Sequence, residues 1–161
     1  MKKKVFIISF IVLIIDEMSK LIIEALLPLN NSIKIINNVF NLTYVHNEGA
    51  AWSILNGQRF VLIIISLLAL IFLYKYLYDF KENKRNTLAF GLLIGGIIGN
   101  LFDRLIFGYV RDFLDFKIFG YNYPIFNISD ICIFLGTILL LIATFKGEDY
   151  GSSSKRISSH R

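Results

Sequence analysis

Cysteine, proline and histidine are all scarce in this sequence, and their scarcity excludes several kinds of site. Of 161 residues, one is cysteine, two are proline and two are histidine, so no internal disulfide can form. The cysteine, Cys132, lies in an apolar run and is interpreted as a small buried hydrophobic residue. The zinc-protease pattern H-E-x-x-H and the nucleophile elbow G-x-S-x-G are both absent from the sequence. We therefore expect neither a metal nor another cofactor.

Charged residues are scarce as well, at 18%, whereas 55% of the residues are hydrophobic, above the roughly 45–50% that is typical of soluble domains. The apolar residues form four long runs, which predict transmembrane helices, and the charges collect between them. We predict an all-α membrane protein with one domain over residues 1–146 and a disordered, Ser-rich tail over residues 147–161. The four predicted transmembrane segments span about residues 5–27, 60–77, 87–106 and 125–145.

The segment between the first two predicted helices has the composition of a strand. Residues 39–45 are mostly β-branched, aromatic or apolar, with Asn41 and Thr43 as polar positions on one face. Trp52 follows soon after and fits the aromatic belt of a membrane interface. We predict a small extracytoplasmic β-sheet between helices 1 and 2, lying on the bilayer surface with Trp52 as an interface anchor.

The distribution of lysine and arginine predicts the orientation in the membrane. Eleven of these residues lie in the N-terminus, the loop between helices 2 and 3 and the C-terminal tail, whereas five lie in the other two connections. Cytoplasmic loops are enriched in lysine and arginine, so both termini are expected in the cytoplasm. The same bias accounts for the net charge of +5 and makes a nucleic-acid partner an unnecessary explanation.

Ionisable residues at membrane depth are costly and usually functional, and this chain has them near the outward ends of its helices. Asp16 and Lys20 lie one turn apart on helix 1. Asn100, Asp103 and Arg104 share one face at the end of helix 3. We interpret this last group as supporting a site, with an ion pair that stabilises the helix end as the alternative.

Two further motifs contain the candidate reactive groups. Asp112 and Asp115 are both held between large apolar residues, and the residues alone do not choose between them. Asn127 and Asp130 share a face where helix 4 begins, so Asp130 is either a helix-capping acid or a functional carboxylate at the edge of the hydrocarbon region.

Two carboxylates at similar depth indicate a specific chemistry. When they lie close together they share a proton, because like charges cannot both ionise cheaply. One then activates a water as base while the other acts as acid, as in an aspartic protease. One alternative is a small proton- or cation-coupled transporter in which Asp103, Asp112 and Asp130 form a relay. Another is a scaffold in which these groups only hold helices together.

At these motifs the sequence resembles lipoprotein signal peptidase, also called signal peptidase II. The family patterns N-x-x-D-R, V-x-D-F and F-N-x-A-D correspond to residues 100–104, 110–113 and 126–130. Its D-x-x-x-K and N-x-G-A-A patterns correspond to residues 16–20 and 47–51. All five occur in the family order and span most of the chain before the tail. Ser129 departs from the pattern, because the family usually has alanine there.

The resemblance implies which residues form the site. Its catalytic pair corresponds to Asp112 and Asp130, which leaves Asp115 as an accessory residue at most. The other positions that match the family motifs and would support the active site are Asn100, Asp103, Arg104, Asn127, Asp16, Lys20, Asn47 and Gly49.

The resemblance also implies the activity and its setting. The family removes the signal peptide from bacterial prolipoproteins, cleaving before a cysteine that carries diacylglycerol. The expected partners are this lipidated substrate and membrane lipid. A monomer is expected, since one chain supplies both aspartates. We expect a multi-pass protein of the bacterial inner (cytoplasmic) membrane with its active site toward the outer face.

Overall fold

The structure, a computed structural model, describes residues 1–149, which form four α-helices and a four-stranded antiparallel sheet. In chain order the elements are α1 (Lys2–Leu26), β1 (Ser32–Ile36), β2 (Phe40–Asn47), a short 3-10 helix (Ala51–Ser53), α2 (Arg59–Tyr76), α3 (Lys84–Ile106), β3 (Val110–Ile118), β4 (Tyr121–Asn122) and α4 (Ile128–Phe145). The helix bounds follow the four apolar runs of the sequence.

Within residues 1–149, three helices are long and apolar enough to cross a membrane, namely α2, α3 and α4. The fourth helix, α1, has 25 residues but carries acidic and basic residues in its second half. Two of these, Asp16 and Lys20, are fully buried. These two charges therefore face the protein interior, while neighbours such as Ile15 and Ile22 are about half exposed. An apolar outer surface of this kind suits contact with lipid.

Helix α3 lies between α1 and α4, and its glycines allow the close approach. A Cβ atom added to Gly95 would lie 2.7 Å from the Cβ of Val12 in α1 and 2.8 Å from the carbonyl oxygen of Ser9. A Cβ atom added to Gly96 would lie 2.6 Å from the carbonyl oxygen of Ser129 in α4. Both sides of α3 therefore pack backbone against backbone, as small residues permit between membrane helices.

The sheet differs from the prediction in the segments of the chain that form it. Its strand order is β1-β2-β3-β4, so half of it comes from the connection between α1 and α2 and half from the connection between α3 and α4. Strand β3 was not predicted, because the acids Asp112 and Asp115 interrupt the apolar pattern by which a strand is recognised. Pairing of β2 with β3 places Val45 opposite Asp112 and Asn47 opposite Val110. The sheet thus joins the α1–α2 connection to the α3–α4 connection at the position of the candidate carboxylate.

The two ends of the described chain meet at the opposite end of the helices. The N-terminal ammonium of Met1 pairs with Glu82. Glu148, in the predicted tail, pairs with Arg85 and accepts a 2.7 Å hydrogen bond from the Asn83 side chain. Residues 147–149 therefore contact the start of α3. The rest of the predicted tail, residues 150–161, lies outside the described residues.

Candidate active site

Asp112 of β3 and Asp130 of α4 are brought together around one asparagine. The side-chain amide nitrogen of Asn127 donates to Asp112 Oδ1 over 2.6 Å, while the backbone N–H of Asn127 donates to Asp130 Oδ2 over 3.1 Å. Asp112 is 1% exposed and Asn127 is fully buried. The two carboxylates assigned by the resemblance therefore share a hydrogen-bonding partner in a site that is largely removed from water.

The start of α4 explains how Asp130 is held. Asn127 is the N-cap residue, its side-chain oxygen accepts from the backbone N–H of Asp130 over 3.0 Å, and the Asp130 carboxylate reaches back to the N-cap backbone. This is a capping box, so Asp130 contributes to the cap of α4, and its second oxygen is free of that role. The cap uses Asp130 Oδ2. The other oxygen, Oδ1, accepts from the Asn100 side chain over 2.7 Å.

Three predicted supporting residues come from different elements and complete the surroundings of the pair. Asn47 of β2 donates to Asp112 Oδ2 over 2.8 Å, and its own side-chain oxygen accepts from the Gly49 N–H over 2.9 Å. Arg104 of α3 donates to the Gly49 carbonyl over 2.7 Å. The loop after β2 is thereby tied both to a carboxylate and to α3, which places it over the site.

A buried ion-pair network lies behind the carboxylates. Lys20 Nζ is 2.6 Å from Asp16 and 3.0 Å from Asp103, and all three side chains are fully buried. Asp16 Oδ1 accepts from the backbone N–H of Ser129 over 2.8 Å. Lys20 also lies 3.5 Å from Asn100 Oδ1. Buried charges need such partners, and this network joins α1, α3 and the start of α4.

Arg111 extends this network and is not among the residues that the motifs predict. Its guanidinium is 2.6 Å from Asp103, 2.6 Å from Glu17 and 3.3 Å from Glu24. Burial disfavours its charge, but the hydrogen bond and charge of Asp103, followed by those of Glu17, raise the pKa of Arg111, so it stays cationic. The charged residues of α1 follow helical spacing at Glu17, Lys20 and Glu24. This spacing was the sequence signal from which a cationic partner such as Arg111 could have been inferred.

Asp115 lies on the same strand as Asp112 but has other partners. Its carboxylate accepts from Thr43 over 2.7 Å and from Asn41 over 3.2 Å, both on β2. These bonds hold β2 to β3. Asp112, by contrast, receives its bonds from the site residues Asn47 and Asn127. The two acids of β3 therefore differ in their hydrogen-bonding partners.

The surroundings change the acidity of Asp112. Burial, followed by repulsion from the Asp130 carboxylate, raises the pKa of Asp112 to about 7, although hydrogen bonds from Asn47 and Asn127 oppose the shift. A carboxyl group with this pKa retains a proton near neutral pH. The pair is thus suited to hold one proton between two carboxyl groups.

Two adjoining cavities meet at Asp112. The smaller, about 280 Å³, is lined by both carboxylates and by Asn100, Arg104 and apolar residues that include Ala51 and Phe126. The larger, about 710 Å³, is more polar and is lined by Asp112 with several asparagines. Trp52 lines both cavities and donates to the Tyr121 hydroxyl over 3.2 Å. Asp112 therefore borders both cavities, whereas Asp130 borders only the smaller one.

Among residues 1–149, no group of three or more His, Cys, Asp or Glu side chains is placed to hold an ion. The buried acids are instead matched by lysine, arginine and asparagine.

Comparison with known proteins decides the family. The profile of the Signal peptidase (SPase) II family matches residues 8–146. The chain belongs to the signal peptidase II family. The lipoprotein signal peptidase of Halothermothrix orenii is 42% identical over 147 residues, which cover 91% of this chain and 99% of that protein. The lipoprotein signal peptidase of Staphylococcus aureus is 40% identical over 154 residues, which cover 91% and 93%.

Two solved structures share the fold. Both are described as bacterial membrane enzymes determined by the in meso method, at 2.3 Å and 1.9 Å resolution. Each is 38% identical in sequence to this chain and covers 88% of it. The TM-scores are 0.80 and 0.79, and the matches cover 87% and 92% of the respective structures. The sequence-based family assignment is thereby confirmed. All five motifs of this signal peptidase II family member lie within residues 8–146, which the family profile matches.

Proposed function

We propose that this chain is a membrane-embedded aspartic endopeptidase that removes signal peptides from bacterial prolipoproteins. The observation that carries the proposal is the pair of carboxylates, Asp112 and Asp130, bridged by Asn127 in a cavity of a signal peptidase II family member. Cleavage is proposed to occur before the cysteine that carries diacylglycerol.

The proposed chemistry uses a water molecule and one proton shared by the two carboxyl groups. The ionised carboxylate takes a proton from the water, whose oxygen attacks the scissile carbonyl carbon. The protonated carboxyl group gives its proton to the carbonyl oxygen, which produces a tetrahedral intermediate with two hydroxyl groups. As the C–N bond breaks, the carboxyl group that took the water proton gives it to the leaving amine. One hydroxyl of the intermediate returns its proton to the other carboxylate, so the pair ends the cycle with one proton. The raised pKa of Asp112 supports its role as the proton donor at neutral pH.

The supporting residues fix the geometry of this pair. Asn47 and Asn127 hold the two oxygens of Asp112, while Asn100 and the N-cap backbone hold those of Asp130. Orienting the reacting groups in advance lowers the entropic part of the barrier. Asp16, Lys20 and Asp103 are proposed to fix the backbone that carries these groups.

The proposed membrane placement makes α1 the fourth transmembrane helix. Its long exposed side chains between Val5 and Ile22 are apolar, and Asp16 and Lys20 are paired inside the protein. Both termini are then cytoplasmic, and the sheet and active site face outward from the inner membrane. The exposed apolar side chains of the sheet region, such as Ile35, Ile36 and Phe119, suit contact with the membrane surface. One chain supplies both carboxylates, so the active unit is proposed to be a monomer.

Cleavage of a defined substrate by the purified protein tests the proposal. The substrate is a diacylglyceryl-modified prolipoprotein, and release of its signal peptide is followed by gel shift. We expect wild type and Asp115→Asn to cleave it, whereas Asp112→Asn and Asp130→Asn do not. Unlipidated precursor serves as the substrate control. Cleavage by both dyad variants at the wild-type rate would refute the aspartate mechanism, and inactivity of a folded wild type would return the transporter alternative.

A further inference from the structure

Arg111 is the most heavily bonded side chain beside the active site, and its position in the strand is informative. It directly precedes Asp112 in β3 and is 1% exposed. Consecutive side chains of a strand point to opposite faces. Accordingly, Asp112 contacts Asn47 and Asn127, while Arg111 contacts acids of α1 and α3. The two residues attach one short piece of backbone to the protein from opposite sides.

The attachment through Arg111 involves its backbone as well as its side chain. Its backbone N–H donates to Asp103 Oδ2 over 3.0 Å, and its Nε and Nη2 donate to Asp103 Oδ1 over 3.1 Å and 2.6 Å. Asp103 is in turn held by Lys20. The peptide next to Asp112 is thereby fixed to α3, and Glu17 fixes the same guanidinium to α1.

We propose that Arg111 is a positioning residue for the proposed cleavage reaction. It sets the distance of the Asp112 carboxylate from Asp130 by anchoring β3 to α1 and α3, and it does not touch the substrate. This inference rests on the proposed function, since it assigns Arg111 a role in that same dyad. Charge alone is insufficient for the role, because the planar guanidinium donates in fixed directions to Asp103, Glu17 and Glu24. An ammonium group on a flexible stem does not reproduce that fork.

The charge balance of the network shows what a substitution would do. Lys20 and Arg111 are its two cations, whereas Asp16, Asp103, Glu17 and Glu24 are its acids. Removal of Arg111 leaves the buried Asp103 and the partly exposed Glu17 and Glu24 without their shared cation, which itself disturbs folding. A double variant, Arg111→Gln with Glu17→Gln, removes one acid with the cation and keeps the remaining charge closer to balance. This double variant therefore separates the effect of misplacing Asp112 from the effect of lower stability.

The test measures kcat and KM on lipidated prolipoprotein together with the unfolding temperature. We expect Arg111→Lys to lower kcat about tenfold and Arg111→Gln about a hundredfold, the scale of a reacting group misplaced by about 1 Å. KM should stay within about twofold of wild type, since the binding cavities keep their lining. The Arg111→Gln/Glu17→Gln variant should recover most of its unfolding temperature while its kcat stays low.

Arg59→Gln is the matched control. Arg59 also lies near the outer ends of the helices, where it donates to the Leu105 carbonyl over 2.9 Å, and it makes no bond to β3 among the described residues. It should retain kcat. If the folded Arg111→Gln/Glu17→Gln variant has wild-type kcat, Arg111 is purely structural and the inference fails. If folded wild type and Arg59→Gln do not cleave either, the proposed function itself fails, so the two failures are distinguishable.

Discussion

The side-chain amide of Asn127 donates to the Asp112 carboxylate over 2.6 Å. The same nitrogen donates to Asn100 over 3.0 Å, and the side-chain oxygen of Asn127 caps α4 at Asp130. All three polar bonds of one amide are therefore directed at the residues that form the proposed site. Capping of a helix and alignment of two carboxylates are here performed by one side chain.

These two roles of Asn127 can be separated by substitution. Serine is also a good N-cap residue but has no amide to reach Asp112. We expect Asn127→Ser to keep stability while lowering kcat about tenfold to a hundredfold, since a hydrogen bond to a charged group is worth about 1.5–3 kcal/mol. Asn127→Ala should lose the same activity and also about 1 kcal/mol of stability. Unfolding curves and cleavage rates of the two variants check this, and equal kcat for Asn127→Ser and wild type would contradict it.

The pH dependence of kcat should reveal the proton held by the pair. With the pKa of Asp112 raised to about 7, the carboxyl that donates the proton becomes ionised above that pH. We expect kcat to fall about tenfold per pH unit on the alkaline side, with a midpoint near pH 7. Asp115→Asn should show the same profile because Asp115 bonds only to β2 in the described structure. A rate that stays constant up to pH 9 would argue against Asp112 as the proton donor.

The same shift predicts how stability depends on pH. A carboxyl group whose pKa rises from 3.8 to about 7 on folding stabilises the protein fully below pH 3.8, and this stabilisation is lost as the pH rises through 7. The change amounts to about 1.4 kcal/mol for each pH unit in that window. The Asp112→Asn variant lacks this pH-dependent loss of stability. Its unfolding temperature, relative to that of wild type, should therefore rise between pH 5 and pH 8. Groups remote from the pair titrate equally in both proteins, and a constant difference would contradict the prediction.

The helices were predictable because their apolar runs are clear in the sequence, and two of the motifs lie at helix ends. Asp130 at the start of α4 and Asp103 near the end of α3 are examples. Pairing across the sheet was not predictable in this way. The register that brings Val45 opposite Asp112 depends on the contact between two connections that lie about 65 residues apart, and local composition contains no information about that contact.

Arg111 illustrates the same limit at the level of one side chain. In the sequence, Arg111 occupies the unspecified position of the V-x-D-F pattern. A solvent-exposed arginine would have fitted that pattern equally well. The burial of Arg111 follows from the fold, since Glu17 and Glu24 of α1 reach it across nearly a hundred residues of chain. Long-range pairing of charges, unlike helical periodicity, is decided by tertiary structure.

Ser129, where the family resemblance would place alanine, gives a further prediction. Its side chain is fully buried, and its hydroxyl has no hydrogen-bond partner within residues 1–149. A buried hydroxyl without a partner costs about 1–3 kcal/mol. We therefore expect Ser129→Ala to keep kcat within about twofold and to raise the free energy of unfolding by about 1 kcal/mol. A loss of stability in urea or thermal unfolding would show that the hydroxyl contributes a favourable contact.

The same hydroxyl lies against Gly99 of α3, which allows a test by compensation. A Cβ atom on Gly99 would overlap the Ser129 oxygen and lie 2.7 Å from Asp16 Oδ2, so Gly99→Ala should destabilise the protein and lower its activity. Ser129→Ala removes the first of these obstacles and should restore part of the loss. Gly95→Ala is the matched control, because its obstacles are Val12 and Ser9, which Ser129→Ala leaves in place. Rescue of Gly99→Ala but not of Gly95→Ala, measured by unfolding temperature, would show that α3 and α4 meet at Ser129, whereas equal rescue of both would contradict that packing.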